Sequence, residues 1–179
     1  MIILLSGCIK ITQAGKGGEE VILRLIGMGE VVGGFQMLVN SRHFSTAQAV
    51  QPSVVLVWPL PIFERLVDGC EAFQRNVVCA LEDQFRELEC RFREVSTERV
   101  GSRLSHELIR LSKRFGQGCN GQTEVRLSRT ELAQLTGTTL STVSRLISRW
   151  QRLGAVSAGR EGVQVRDHAA LIQLSEASE

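Results

Sequence analysis

Apolar and polar residues alternate along this chain with three different rhythms, and each predicts a different kind of element. In the first sixty or so residues, short apolar and β-branched runs (Ile9 to Thr12, Glu20 to Ile26, Ala47 to Val50, Val54 to Trp58) are punctuated by glycine-rich stretches at Gly15 to Gly18 and Gly27 to Gly34. Runs of that length and punctuation predict the strands of a sandwich or barrel. From Pro61 to Val95 the rhythm lengthens. Val78, Leu81, Phe85, Leu88, Phe92 and Val95 recur at alternating spacings of three and four, a heptad seam on one long helix, with Glu82, Asp83, Arg86, Glu87, Glu89, Arg91 and Arg93 filling the other faces. The last part reads as a helix from Thr97 through Arg114, a polar break at Gly116 to Gly121, a strand at Glu124 to Leu127, two short helices, and a strand, turn and strand from Ala155 to Val165. These changes of period divide the chain at 1–66, 67–98 and 99–179.

The two short helices carry the most specific local signals. Ser128 followed three residues later by Glu131 is a capping box, in which each side chain satisfies an orphan backbone donor of the other, so a helix starts at about Arg129. Leu132 and Leu135 form its apolar stripe, Ala133 lets another backbone approach, and Gly137 can take the positive φ at which a helix stops. On a helical wheel for Leu140 to Arg152, Val143, Leu146, Ile147 and Trp150 share one narrow face. Opposite lie Ser141, Arg145, Ser148 and Arg152, with Arg149 on the flank toward Thr142 and no carboxylate anywhere on the segment. Such a helix buries one side and offers hydroxyls and guanidinium groups to a major groove lined with acceptors and phosphates. The bland reading is a solvated amphipathic helix, and the cap, the glycine turn and the acid-free face together favour a helix-turn-helix. The candidate DNA-binding residues are Arg129, Thr138, Thr139, Ser141, Thr142, Ser144, Arg145, Ser148 and Arg149, with Arg160 at the tip of the following strand–turn–strand wing.

Net charge changes the picture only when it is divided. The whole chain is +2, but residues 1 to 98 hold nine Lys and Arg against twelve Asp and Glu, whereas residues 99 to 179 hold twelve against seven. The excess positive charge therefore sits with the proposed DNA reader, where release of counterions from phosphate adds affinity. With 43% hydrophobic and 22% charged residues the composition is globular. No uninterrupted apolar stretch reaches the ~18 residues of a membrane span, and Met1 to Leu5 is too short for a signal-peptide core. Cys8, Cys70, Cys79, Cys90 and Cys119 are odd in number and widely spaced, which predicts reduced thiols in a cytoplasmic protein and no zinc site; those beyond Cys8 are expected mostly to fill core positions on helices. The glycine run at Gly15 to Gly18 lacks the Lys-Ser/Thr ending of a phosphate loop and predicts a hairpin.

Taken together, the segments Leu5 to Lys10 and Gly29 to Gly33, the long helix, Leu127 to Arg145, and Leu153-Gly154 through the wing to Leu174 resemble the Crp/Fnr family of bacterial transcription regulators. The resemblance covers nearly the whole chain. It implies an α+β fold: a partial β-roll of the jelly-roll, cyclic-nucleotide-binding type over 1–66 as sensor domain, a dimerisation helix over 67–98 with its seam at Val78, Leu81, Phe85, Leu88, Phe92 and Val95, and a C-terminal winged helix-turn-helix over 99–179. A homodimer would present two recognition helices about one DNA turn apart, roughly 34 Å, to a near-palindromic site. Double-stranded DNA and RNA polymerase are the implied partners. Family sensor domains carry several strands ahead of the Gly7 segment, so this chain is expected either to begin late or to have a reduced sensor completed by a partner.

Carried over residue by residue, the resemblance is most informative where it fails. Arg145 falls on the family arginine that contacts a guanine, and its fork suits O6 and N7 together. Ser141 stands where the best-known members carry a base-reading glutamate, and Leu140 where some carry a polar or charged residue, so the operator is expected to depart from the commonest half-site. In the sensor, cyclic-AMP-binding members have a glycine and glutamate, then an arginine-serine pair. Here Gly33 is followed by Gly34, and the later pair reads Phe44-Ser45. An unpartnered cyclic phosphate would cost on the order of several kcal/mol, so cyclic AMP is not the expected effector unless Arg42 substitutes through a shifted loop. The candidate effector pocket is Gly33, Gly34, Arg42, Ser45 and Thr46, its ligand unknown, and no cofactor is assigned.

Iron-sulfur sensing needs a cluster of early cysteines, and only Cys8 lies near the start; haem sensing has only His43 in the sensor region. An enzyme on a cupin-like roll would need clustered ligands, whereas His43, His106 and His168 are scattered and there is no Tyr. The remaining alternative is a protein-interaction adaptor, or an effector-independent regulator, that keeps this fold.

Overall fold

The computed structural model describes residues 1–32, 44–115, 123–159 and 162–176, in two compact units, Met1–Arg91 and Phe92–Glu179. The fold is α+β, as expected.

In the first unit the long strand β1 (Ile2–Ala14) organises a mixed set of antiparallel neighbours. β2 (Glu20–Ile26) pairs with its second half, from Ile9 opposite Ile26 to Ala14 opposite Glu20, and the two-residue β3 (Val31–Val32) pairs with Ile2 and Ile3. β4 (Thr46–Val57) runs along the other edge from Val57 opposite Ile2 to Thr46 opposite Thr12. The glycine run closes the β1–β2 hairpin, with Gly15 N–H donating to Glu19 O at 2.7 Å and Gly18 in the left-handed region at φ +87°. Leu4, Ile9, Ile26 and Val32 pack together as a buried core.

Two strands are longer than expected. Gly7 and Pro52 read as breaks, yet β1 and β4 pass through them, because the breakers face each other across the ladder. Pro52 has no N–H to donate, and Gly7 takes φ +98°, where a Cβ would lie 2.7 Å from the Pro52 carbonyl oxygen. The register shifts between Ser6 and Cys8, the two strands bulge together, and pairing resumes. Val54, Val55, Leu56 and Val57 near the end of β4 are all exposed.

The segment expected as one helix over 67–98 is divided. α1 (Leu60–Gly69) ends where Cys70 is extended, and α2 (Glu71–Thr97) follows, so residues 67–69 belong to α1. Pro59 and Pro61 suit the start of α1, where their missing donors are not needed. Phe63 is fully buried and meets the Phe73 ring edge to face at 5.7 Å. Between them, Arg91 donates to Leu23 O at 3.2 Å, and Arg24 faces Glu87 at 3.5 Å, joining β2 to α2.

In the second unit, α3 (Val100–Phe115) buries Leu104, Leu108, Ile109 and Leu111. β5 (Thr123–Val125), β7 (Val163–Val165) and β6 (Val156–Ala158) form an antiparallel sheet in that order, with β7 central. α4 (Arg129–Thr136) and α5 (Leu140–Arg152) lie between β5 and β6 in the chain. A final helix, α6 (His168–Glu176), was not anticipated from the residues alone. Asp167 accepts from Ala170 N–H at 2.9 Å and so caps it, and Leu171 is fully buried.

The cysteine expectation needs correcting. Cys8 is buried, but Cys70, Cys79 and Cys90 are exposed rather than core, because α2 buries only Glu94 along its length and Cys70 sits in the break before it. Cys119 lies outside the described residues.

Candidate nucleic-acid interface

The interface is built on helix ends. Ser128 Oγ accepts from Glu131 N–H at 3.2 Å, while the Glu131 carboxylate accepts from Ser128 N–H at 2.9 Å and from its hydroxyl at 2.8 Å, so the capping box starts α4 at Arg129. α4 stops at Gly137, which takes φ 62° and ψ 47° and donates to Ala133 O. Any residue with a Cβ would be strained in that conformation. Two residues later Thr139 caps α5, its Oγ1 accepting from Thr142 N–H at 3.2 Å and lying 2.9 Å from the hydroxyls of both Ser141 and Thr142. Five side chains, Ser128, Glu131, Thr139, Ser141 and Thr142, and one glycine thus define the two helix starts and the turn between them.

α5 has the cross-section that the wheel predicts. Val143, Ile147 and Trp150 have no exposed surface and Leu146 very little, whereas Ser141, Arg145, Ser148 and Arg152 are exposed, and Thr142, Ser144 and Arg149 are half-buried on the flanks. Arg129 and Thr139 are exposed and Thr138 is half-buried. The described part of the proposed contact set therefore lies on α5, its cap, the turn before it and the first turn of α4. Thr139, Ser141 and Thr142 first serve one another, as a hydroxyl cluster that orders the start of α5 where the helix dipole is positive. Arg160 lies outside the described residues. Arg149 and Arg152 fall in the last turn of α5, where a cation complements the dipole.

The seam residues are exposed throughout, from 41% at Leu81 to 73% at Phe92. Six large apolar side chains in a row along α2 are therefore only partly covered by the described residues of this chain. Of the effector-pocket candidates, Gly33, Gly34 and Arg42 lie outside the described residues, as does His43. Ser45 accepts from Gln13 Nε2 at 3.1 Å, Thr46 is exposed at the start of β4, and neighbouring Phe44 is exposed. His106 contacts Glu98 at 3.1 Å and His168 contacts the buried Ser112 at 3.0 Å, two separate pairings.

Sequence reasoning missed an ionic cluster that joins α2 to α3. Arg110 grips Glu94 with two nitrogens, at 2.6 and 2.8 Å, and also reaches Glu107 at 3.0 Å through Nε. Burial works against the Arg110 charge, but the hydrogen bond to Glu94 and the charges of Glu107 and Glu94 outweigh it, so its pKa rises above the usual guanidinium range. The i,i+3 spacing of Glu107 and Arg110 was the only local hint; Glu94 is sixteen residues away.

A three-stranded sheet, a capped helix-turn-helix and an acid-free second helix define a winged helix-turn-helix protein. Residues 102–174 match the Crp-like helix-turn-helix domain, and residues 1–70 match the cyclic nucleotide-binding domain. The chain is 30% identical over 170 residues to a transcriptional regulatory protein of Bordetella pertussis, covering 94% of this chain and 70% of that one. It is 28% identical over 172 residues to the anaerobic regulatory protein of Pasteurella multocida, covering 95% of this chain and 63% of that protein's length. Its fold is similar to that of a CRP/FNR-family transcriptional regulator from Thermus thermophilus, with a TM-score of 0.82 at 21% identity, over 98% of this chain and 87% of that one. The chain belongs to the Crp/Fnr family. These relatives are transcription regulators, not enzymes, and among the described residues no helix is long and apolar enough to cross a membrane.

Proposed function

We propose that this chain is a sequence-specific DNA-binding transcription regulator that acts as a homodimer on a near-palindromic operator, with α5 in the major groove. The observation that carries the reading is the section through α5: its apolar face is sealed in the core while Ser141, Arg145, Ser148 and Arg152 are exposed. Arg145 reads a guanine edge, and Arg129, Arg149 and the hydroxyls contact the flanking backbone. Dimerisation is supported by the exposed seam, because a contiguous apolar stripe on a soluble helix marks a partner site and a second copy offers the matching stripe.

The 1–70 roll acts as the sensor, for a small molecule other than cyclic AMP, since Gly34 and Phe44-Ser45 replace the acid and arginine that would hold the ribose and phosphate. A DNA partner implies a cytoplasmic location, and control of transcription implies contact with RNA polymerase.

Unbiased selection of DNA fragments bound by the full chain, with and without candidate effectors, tests the reading. A near-palindromic sequence should be enriched, and affinity should fall by about a thousandfold between ~50 and ~200 mM salt if on the order of six phosphates are neutralised. Recovery of no enriched sequence would overturn it in favour of an adaptor.

A further inference from the structure

Two helix ends that fall in the C-terminal unit, those of α2 and α4, lack a cation of their own. Neither the last turn of α2 nor that of α4 carries a basic residue, although each end presents carbonyls that lack an intrahelical donor and carry the negative pole of the helix. Arg103, in the first turn of α3, serves both. Its Nη1 donates to Glu98 O at 2.8 Å and, more loosely, to Val95 O at 3.4 Å; its Nε donates to Thr136 O at 3.2 Å and its Nη2 to Gly137 O at 3.4 Å. Val95 lies in the last turn of α2, Thr136 is the last residue of α4, and Gly137 is its left-handed cap. A Cβ added at Gly137 would stand 4.0 Å from Val95 Cγ2, so the two helix ends are close neighbours.

All four acceptors are main-chain oxygens, and they converge on one planar group. A guanidinium presents five donors in a fixed fork and can serve several carbonyls at once; an ammonium is a point charge that cannot span them. Arg110 also ties α3 to α2, through Glu94, but its bonds do not reach α4. Arg103 therefore bonds the end of α2 and the end of α4 together. Only Thr138 and Thr139 separate the Gly137 carbonyl from the first residue of α5.

We propose that Arg103 is a positioning residue for DNA reading: it sets the angle at which the helix-turn-helix leaves the end of α2, and thereby the separation at which the two recognition helices of a dimer meet their half-sites. The proposal rests on the DNA-binding dimer argued above, and it predicts a loss of selectivity for spacing rather than a loss of contacts.

The test uses the full chain and its Arg103→Ala and Arg103→Lys variants on the selected operator and on versions whose centre is one base pair longer or shorter. The unchanged chain should prefer its own spacing by about tenfold or more, since a one-base-pair change rotates and displaces one half-site. Arg103→Ala should narrow that preference to about threefold or less, and Arg103→Lys should fall between, keeping the charge without the fork. In parallel, spin labels at the exposed positions 93 and 148, in a background with the exposed cysteines replaced by serine and diluted with unlabelled chain, report the α2-to-α5 distance within one molecule. That distribution should broaden in both variants.

An equal loss of affinity at every spacing, or a lowered melting temperature with an unchanged spacing ratio, would overturn the proposal and leave Arg103 as a stabiliser only. If the unchanged chain binds no DNA, the regulator reading falls separately, and the label distances still decide the role of Arg103: an unchanged width refutes it and a broadened one upholds it. If Arg103→Ala does not fold, Arg103→Lys decides by the same two readouts.

Discussion

α5 and α2 each carry an apolar stripe at helical spacing, and the molecule disposes of them in opposite ways. Val143, Leu146, Ile147 and Trp150 of α5 are packed into the C-terminal core, whereas Val78, Leu81, Phe85, Leu88, Phe92 and Val95 of α2 are exposed. The polar faces differ as well. Opposite its buried stripe α5 carries arginines and hydroxyls without a single acid, but α2 mixes signs and ties them locally, as in Glu82 with Arg86 at 2.6 Å. The difference teaches that a stripe alone does not say what it faces: the surroundings of the helix do. α5 packs against α4 and β6 and leaves its polar side exposed; α2 leaves its apolar side exposed.

The largest expected effect breaks the buried stripe. Trp150→Ala removes a fully buried ring from the centre of the winged unit, and should cost about 3–5 kcal/mol, enough to abolish cooperative unfolding of a small unit. Thermal unfolding followed by circular dichroism checks this. The corresponding change in the exposed stripe should act on assembly instead. Phe85→Glu, at a position already 61% exposed, should leave helical content unchanged and weaken dimerisation by about a hundredfold or more, since it places two charges across an apolar seam. Sedimentation equilibrium reads that shift, and a chain that stays dimeric would show that α2 does not pair through this stripe.

What was legible in the residues follows the same division between local and distant causes. The start of α4, the glycine stop and the buried and exposed sides of α5 were all readable, because caps and helical periodicity act within a turn or two of the residue that causes them. The hairpin at Gly15 to Gly18 and the wing strands were readable for the same reason. The continuity of β1 and β4 was not, since Gly7 and Pro52 are breakers when each is read alone and compensate only once the register sets them opposite each other. Nor was the break at Cys70, because Gly69 ends α1 without the positive φ of a glycine cap, or α6, whose short run lacks a clear polar stripe. Arg103 and Arg110 were invisible as site residues because their partners are carbonyls or carboxylates brought in from other helices. The thiols of α2 were misjudged because apolar character was taken for burial on a helix that is mostly solvent-facing.

A smaller effect probes the polar side of α5. Arg145→Ala should leave melting unchanged, because the side chain is exposed and supports no packing. It should nevertheless reduce discrimination between the selected site and the same site with its guanine replaced by about 1–3 kcal/mol, the worth of one bidentate base contact. Competition binding against both duplexes measures it. A uniform loss on both sequences would make Arg145 a phosphate contact instead.

The smallest expected effect separates the framing of the interface from its contacts. Ser128→Ala deletes the hydroxyl that accepts from Glu131 N–H, while the Glu131 carboxylate can still accept from the backbone of residue 128. Loss of such a cap costs about 0.5–2 kcal/mol, and the remaining half of the box places this case toward the lower end. Because α4 buries Leu132 and Leu135 and does not carry the acid-free face, the variant should melt a few degrees lower and bind its operator with unchanged sequence preference. A change in preference would mean that the start of α4 itself touches DNA, which would move Arg129 from the edge of the interface into its centre.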